Sequence, residues 1–201
     1  MSDLFADVAR FNKACGVRLR PTPGWVSDDE IALAVRLIDE EREELAEALR
    51  AGDMIATADA IADSHYVRAG LVLRLGVART YIQDLLVPSA MRPSWTDLVD
   101  REAVIADLEA DDRAIKRAIQ AGNLIEVDTY THRTMYALTS LAVLLRIPLD
   151  AVWCAVQASN MSKVVDGKVI RDQGGKICKP PTFVPPDIAD VLARHRMREA
   201  A

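Results

Sequence analysis

The sequence predicts an all-α fold: a helical bundle built from antiparallel helix hairpins, followed by an irregular C-terminal tail. Aromatic residues make up only 5% of the 201 residues, while half of the chain is apolar, so aliphatic helix packing is favoured over a β-sheet. Apolar residues recur at 3.6-residue spacing over long segments, which is typical of amphipathic helices. The length fits one compact domain covering residues 1–201.

The first two helices are predicted from their start and stop signals. Residues 3–15 predict a short helix, which a loop rich in proline and glycine at 21–24 separates from the next one. Ser27 is a suitable N-cap for that second helix, and Glu30, three residues later, completes a capping box. The second helix should end at Gly52.

Two acidic stripes lie on the second helix and its successor. Glu41 and Glu44 share a stripe of the second helix whose ends are apolar. The third helix, predicted over about 54–75, carries Asp59 and Asp63 on a stripe that otherwise has the pattern of a buried face. A tight turn makes these helices antiparallel neighbours, so the acidic stripes are expected to meet.

The remaining elements follow from similar signals. A last main helix is predicted over about 149–163, after a proline. The tail beyond it is rich in glycine and proline, with a short hairpin expected over 163–176 and a final helix over 187–198.

An internal repeat is suggested by aligning residues 8–77 with 78–147, an offset of 70. Residues that punctuate structure coincide in this alignment, among them the pairs Gly52 and Gly122, Pro23 and Pro93, and Trp25 and Trp95. The acidic residues are not all copied, since Asp63 meets Arg133. We therefore predict an active hairpin repeat (8–77), a degenerate second repeat (78–147), and a last helix with the tail (148–201).

The charge and cysteine content exclude several functional classes. A net charge of −5 and a pI near 5.3 argue against binding of a nucleic-acid duplex. The three cysteines lack metal-type spacing, so neither a zinc finger nor a disulfide framework is expected. Residues 1–7 do not resemble a signal peptide, and no apolar run is long enough to span a membrane, so we expect a soluble cytoplasmic protein.

The acidic stripes point to a divalent metal. A charge run is most often a solvated helix face. Here, however, like charges three and four residues apart cost roughly a few tenths of a kcal/mol per pair, and buried unpaired carboxylates cost more. A shared cation would relieve both costs, and ligands that are all oxygen favour Mg²⁺ or Mn²⁺. Such a cluster suits phosphoryl chemistry.

Three segments of the chain carry a resemblance to a known family. The sequences LIDEEREEL at 37–45, ADAIADSHYV at 58–67, and ASNMSK at 158–163 with DGK at 166–168 occur in that order. Together they resemble the MazG-like nucleoside triphosphate pyrophosphohydrolases. This superfamily also includes phosphoribosyl-ATP pyrophosphohydrolase and the all-α dUTPases.

The resemblance implies a reaction and a set of catalytic residues. Glu41, Glu44 and Asp63 would be metal ligands, and Glu40 would orient or deprotonate the attacking water. Water would attack the α-phosphorus of a nucleoside or deoxynucleoside triphosphate, and pyrophosphate would leave. The catalytic set is therefore Glu40, Glu41, Glu44 and Asp63, with Mg²⁺ or Mn²⁺ as the cofactor.

One position departs from the family pattern. The family commonly has Glu-x-x-Asp on the second of the two helices, but Ala60 occupies the position three residues before Asp63. Asp59, one turn before Asp63 on the same stripe, is the substitute we predict as a further metal ligand.

The resemblance also implies residues that contact the substrate. Asn160 and Lys163, on one face at the end of the last main helix, would hold the phosphates and the sugar. An ordinary helix end, with a lysine favourable to the helix dipole, is the alternative reading. Lys179 is a weaker phosphate ligand in this prediction, and Asn12 would read the nucleobase.

Several alternatives stay open from the sequence. The substrate could be a nucleoside diphosphate, dUTP or phosphoribosyl-ATP, because metals read phosphates and not the base. The chain could also be a nucleotide-binding helical protein without turnover, or a purely structural bundle. For partners we expect a nucleotide substrate, no nucleic-acid duplex, no membrane, and a second copy of the chain in a homodimer.

Overall fold

The computed structural model describes residues 3–77 and 100–199, and these residues form helices with no strand. The all-α prediction is confirmed. The helices, numbered here in chain order over the described residues, are α1 (Leu4–Ala14), α2 (Asp28–Ala51), α3 (Met54–Leu75), α4 (Arg101–Gln120), α5 (Leu124–Leu144), α6 (Leu149–Met161) and α7 (Ile188–Glu199).

The start and stop signals act as the sequence predicts. Ser27 and Glu30 form the capping box of α2, with the Glu30 carboxylate accepting a hydrogen bond from the Ser27 backbone N–H at 3.2 Å. Gly52 ends α2 in the left-handed conformation at φ +68°, which a residue with a Cβ adopts at a cost. Asp53 then caps α3 by accepting from Ile55 and Ala56.

Helix α3 is the centre of the bundle. It contacts α1, α2, α5, α6 and α7, and most of its side chains are buried. A helix with apolar residues on nearly every face is stable in water only when other elements surround it. Any polar side chain that α3 carries is therefore held between neighbouring helices.

Helices α4 and α5 form a second hairpin that resembles the α2–α3 hairpin. Its turn contains Gly122 at φ +67°, and Asn123 caps α5 as Asp53 caps α3. These turn positions are related by the offset of 70. Pro93 and Trp95, which also align in the proposed repeat, lie outside the described residues. The division at residues 78 and 148 stays a prediction.

The tail after α6 differs from the expected hairpin over 163–176. It contains isolated bridges between Val165 and Lys168 and between Arg171 and Ile177, but no paired strands among its described residues. Asp166 and Gly167 both have positive φ, as a two-residue type I′ turn requires. Two successive tight turns thus replace one longer hairpin, and the prediction of a single hairpin is wrong.

None of the described helices alone has both the length and the apolar character to cross a membrane. The α5–α6 pair meets these criteria only when taken together across a bend of 117°.

Candidate active site

A cavity of about 140 Å³ opens between α1, α2, α3, the end of α6 and the tail. We call it the acid cavity because α2 and α3 each place a carboxylate in its wall. Its lining includes a subset of the residues predicted from the sequence, namely Asn12, Glu41, Asp63, Asn160 and Lys163. The tertiary structure therefore brings together side chains from three separate parts of the chain.

Glu41 is the α2 carboxylate of the acid cavity. Its Oε2 atom is buried and has no hydrogen-bond partner among the described residues. Burial, together with repulsion from Asp63 and Glu44, raises the pKa of Glu41 to about 8. Because an unpaired buried carboxylate is costly, this position favours either a proton or a cation.

Asp63 and Asp59 lie one turn apart on α3. Burial, then the negative charge of Asp59, raises the pKa of Asp63 to about 7, although Lys163 acts in the opposite direction. Burial and repulsion from Glu44 also raise the pKa of Asp59, whose Oδ1 is buried without a hydrogen-bond partner in the described part of the chain. Asp59 does not line the acid cavity and lies beside it.

The other two predicted glutamates differ in their surroundings. Glu44 is exposed, at the rim, and its charge acts on Glu41, Asp59 and Asp63. Glu40 is half-buried and ion-paired with Lys176 from the tail. Neither glutamate lines the acid cavity itself. Glu40 is thus already hydrogen-bonded to a cation of its own chain.

The end of α6 contributes a lysine and an asparagine to the lining of the acid cavity. Lys163 donates a hydrogen bond of 2.6 Å to the Oδ1 atom of the buried Asn160, and both line the cavity. Burial lowers the pKa of Lys163, while the charge of Asp63 counteracts that effect. Lys179 is exposed outside the cavity, with its ammonium 5.0 Å from the centre of the Phe183 ring. Lys163 therefore shares the cavity with the carboxylates of Glu41 and Asp63, and its charge acts on Asp63.

Asn12 and aromatic rings form the inner end of the cavity. The Nδ2 atom of Asn12 is buried without a hydrogen-bond partner among the described residues. Phe11 and Tyr66 line the same region and pack edge to face with ring centroids 5.5 Å apart. Tyr66 is fixed in turn by a hydrogen bond of 2.8 Å from its hydroxyl to Gln157. A free amide beside apolar rings is suited to a planar heterocycle.

Lys176 is a residue of the acid cavity that the sequence patterns did not predict. It lies in the tail, lines the acid cavity, and pairs with Glu40, while Glu40, Glu41 and Glu44 all raise its pKa. The tail is held over α2 by Arg36, which donates to the Gly174 carbonyl at 3.3 Å. Nothing in the local sequence around Lys176 marks it, because its role depends on how the tail folds back.

Arg42, within the glutamate-rich run, points away from the acid cavity. It lies within 3.6 Å of carboxylate oxygens of Asp39 and Glu109, and within 3.5 Å of one from Asp112. These contacts belong to the α2–α4 interface. The charge of Arg42 is thereby used on the other side of α2.

His65 and His132 lie away from the acid cavity. His65 is buried between α3 and α5, with its ring nitrogens 2.8 Å from the Ile61 carbonyl and 3.1 Å from the Met135 carbonyl. Burial lowers the pKa of His65 to about 4, so it is neutral at physiological pH. His132 on α5 pairs with Asp128 at 2.9 Å.

The donor set of the acid cavity fits a hard cation such as Mg²⁺. The orphaned oxygens of Glu41 and Asp59 are the ligand type that Mg²⁺ prefers. Within residues 3–77 and 100–199, no three or more acidic, histidine or cysteine side chains are arranged to close around one ion. Mg²⁺ commonly uses one or two carboxylates and completes its shell with water and substrate phosphates. The metal ligands therefore stay a prediction.

Comparison with known families matches one part of the chain. Residues 8–86 match the family model described as phosphoribosyl-ATP pyrophosphohydrolase. That family belongs to the MazG-like all-α NTP pyrophosphatase superfamily, so the resemblance seen in the motifs at 37–45 and 58–67 is confirmed, while the motifs at 158–168 lie outside the matched residues. Neither the search of curated proteins nor the search of solved structures gave a match.

Proposed function

From the match of residues 8–86 to the phosphoribosyl-ATP pyrophosphohydrolase family model, we propose that this protein hydrolyses a nucleoside or deoxynucleoside triphosphate. The products are the monophosphate and pyrophosphate. The observation that carries the proposal is the acid cavity, where Glu41 and Asp63 share a small space without a neutralising partner for the buried Glu41 oxygen. A divalent cation bound together with the substrate's phosphates would supply the missing positive charge.

Each wall of the acid cavity has a role in this proposal. Glu41 and Asp63, with Asp59 and Glu44 at the edge, would hold Mg²⁺ or Mn²⁺, and the metal would supply a water of lowered pKa and offset charge on the phosphates. Glu40 orients the water that attacks the α-phosphorus. Lys163 and Asn160, at the end of α6, bind phosphate oxygens inside the cavity. Lys179 binds phosphate from outside the cavity.

The substrate's base is expected at the inner end of the cavity. Asn12 offers an amide for hydrogen bonding, and Phe11 and Tyr66 offer apolar surface. This places the phosphates near α2, α6 and the tail. Glu40 can orient the attacking water only if its ion pair with Lys176 breaks, or if one of its carboxylate oxygens binds the water while the other keeps Lys176.

The direct test is incubation of purified protein with a nucleotide panel and Mg²⁺, followed by chromatography of the products. The panel contains nucleoside and deoxynucleoside triphosphates, dUTP, nucleoside diphosphates and phosphoribosyl-ATP. We expect monophosphate and pyrophosphate from at least one triphosphate. A folded protein that yields pyrophosphate from no compound contradicts the proposal.

A second candidate function is nucleotide binding without turnover. Ala60 stands where the family commonly has an acidic residue, which favours this reading. Calorimetry with a nucleoside triphosphate and Mg²⁺ separates the two functions. A binding protein retains affinity for the nucleotide and forms no pyrophosphate, whereas the proposed hydrolase binds the nucleotide and forms pyrophosphate.

A further inference from the structure

A second concave region adjoins the acid cavity. It has a volume of about 790 Å³ and lies between the loop after α1, the N-terminal half of α2, the end of α3 and the tail. We call it the arginine groove because its walls contain Arg18, Arg36, Arg74 and Arg171. Asp29 and Glu30 are the acidic residues in the same lining, so the groove is net positive in a chain of net charge −5.

Arg74 belongs to both regions, because it lines the acid cavity and the arginine groove. It lies in the last turn of α3 and is half-buried. Its guanidinium has no hydrogen-bond or ion-pair partner within the described ranges, and burial lowers its pKa although Glu30 opposes this. A partly desolvated guanidinium without a partner is costly unless an anion completes it.

The backbone around Arg74 is held in place before any ligand binds. The carbonyls of Leu73 and Leu75 accept hydrogen bonds from Arg20 at 3.3 Å and Gly24 at 3.0 Å. A side chain at Gly76 would overlap the Thr22 carbonyl, so this close approach of the loop requires glycine. Arg74 therefore projects from a fixed point between the two regions.

The neighbouring arginines are positioned mainly by neutral groups. Arg171 donates to the carbonyls of Cys15 at 2.7 Å and Gly175 at 2.8 Å. Arg36 donates to the Gly174 carbonyl, and its nearest carboxylate oxygen, from Glu40, is 3.9 Å away. A hydrogen bond to a carbonyl orients a guanidinium without cancelling its charge. Their positive charge is thus still available to a ligand.

We propose that the arginine groove binds a phosphate-type oxyanion, with Arg74 as its central contact. A guanidinium pairs with phosphate oxygens through two parallel hydrogen bonds, which suits this chemistry better than a lysine does. The anion is either part of the nucleotide in the acid cavity or a separate ion such as inorganic phosphate or pyrophosphate. Only the first source rests on the proposed function.

The binding test is calorimetric titration of pyrophosphate and inorganic phosphate into the full chain in EDTA. Without divalent metal the acid cavity lacks the cations proposed to hold phosphates there, so binding reports on the groove. We expect saturable binding in the wild type, and a loss of affinity on the order of tenfold or more in Arg74→Met. Arg171→Met should weaken binding in the same direction.

The matched control is Arg194→Met, which removes an exposed arginine of α7 that pairs with Asp190 outside the groove. It should bind pyrophosphate as the wild type does. Circular dichroism establishes that each variant is folded. The proposal is overturned if the wild type binds neither anion, or if folded Arg74→Met and Arg171→Met both bind like the control.

A second titration identifies the source of the anion. Pyrophosphate is added to protein saturated with a non-hydrolysable nucleoside triphosphate analogue and Ca²⁺. Lost pyrophosphate binding assigns the groove to the nucleotide's own phosphates, and retained binding assigns it to a separate ion; both results support the groove. If the protein fails to bind nucleotide at all, the proposed function fails while the EDTA titration still decides the groove.

Discussion

The two helix hairpins use the same positions in opposite ways. With the offset of 70, Glu41 of α2 corresponds to Asp111 of α4, and Asp63 of α3 corresponds to Arg133 of α5. In the α4–α5 hairpin this pair is an ion pair between an acid and a base. In the α2–α3 hairpin the same two positions hold two acids, and the charge of Asp63 helps to raise the pKa of Glu41.

The difference shows what an active-site carboxylate requires. A hairpin that supplies its own cation at this position needs no ligand to be electrostatically satisfied. The α2–α3 hairpin supplies none there, and its only internal cation within the glutamate run, Arg42, contacts α4 instead. Its carboxylates are therefore left for a proton or a metal ion.

The largest expected effect is on kcat, and it distinguishes a substitution in the α2–α3 hairpin from the corresponding one in the α4–α5 hairpin. Glu41→Gln should lower kcat on the order of 10³-fold, comparable to removing one charge-stabilising group from an active site, because it takes an oxygen ligand from the cations. Asp111→Asn, at the corresponding position, should leave kcat near the wild-type value. Pyrophosphate release measures both variants, and equal activities would remove Glu41 from the metal site.

The next effect concerns the buried ion pair that joins the hairpins. Arg68 of α3 donates to Asp112 of α4 at 2.6 Å, and both side chains are almost fully buried. Asp112→Ala leaves the Arg68 charge without its partner, which should cost about 3 kcal/mol or more in the free energy of unfolding. Urea denaturation measures this loss. A change below about 1 kcal/mol would mean that water reaches Arg68.

The response to metal and pH should be smaller and confined to the α2–α3 hairpin. In metal-free protein the raised pKa values of Glu41, about 8, and Asp63, about 7, favour their protonated forms in the folded state. The stability they contribute is complete below their ordinary values of 4.5 and 3.8, and it is lost as pH rises through 7 and 8. In thermal unfolding with EDTA, the Tm should therefore fall as the pH rises from the ordinary pKa values of these two carboxyls to their raised values.

Metal should restore the stability that is lost at higher pH. At a Mn²⁺ concentration of about 100 times Kd, binding to the folded state adds about 2.7 kcal/mol. This gain should grow from pH 6 to 8, because protons compete with the metal for carboxylates. Glu41→Gln should flatten both trends, and Asp111→Asn should keep them. A Tm in EDTA that does not fall as the pH rises from 6 to 8 would contradict the raised pKa values given to Glu41 and Asp63.

The smallest expected effect is the change in the free energy of unfolding when the ion pair between Asp111 and Arg133 of the α4–α5 hairpin is removed. Arg133 has 57% of its side chain exposed, so water screens its attraction to Asp111. Arg133→Met should therefore change the free energy of unfolding by less than about 1 kcal/mol. Urea denaturation beside Asp112→Ala gives the comparison. A loss as large as that of Asp112→Ala would show that the exposed pair stabilises the hairpin strongly.

Much of the fold could be predicted because its signals are local. The capping box at Ser27 and the glycine at 52 mark helix ends through contacts within four residues. The tail was harder, since its tight turns lack the alternating apolar pattern of strands. The single hairpin expected over 163–176 is accordingly replaced by two turns.

The candidate site could be predicted only in part. Glu41 and Asp63 were predicted because acidic stripes on neighbouring helices are expected to meet, and Asn160 and Lys163 because their segment resembles a family motif. Lys176 and Arg74 carried no such signal. Lys176 lies at the site because the tail folds back over α2, and Arg74 is positioned by the loop that packs on the end of α3.

Helix positions, their caps and the spacing of the acids along α2 and α3 were determined by the sequence alone, because each depends on residues a few positions apart. Tertiary structure decided which acids are neutralised. Arg42 contacts α4, Lys176 pairs with Glu40, and one buried Glu41 oxygen has no hydrogen-bond partner among the described residues. The physical reason is that charge pairing depends on distance in space, and the chain brings these groups together only when the tail and the second hairpin pack on α2 and α3.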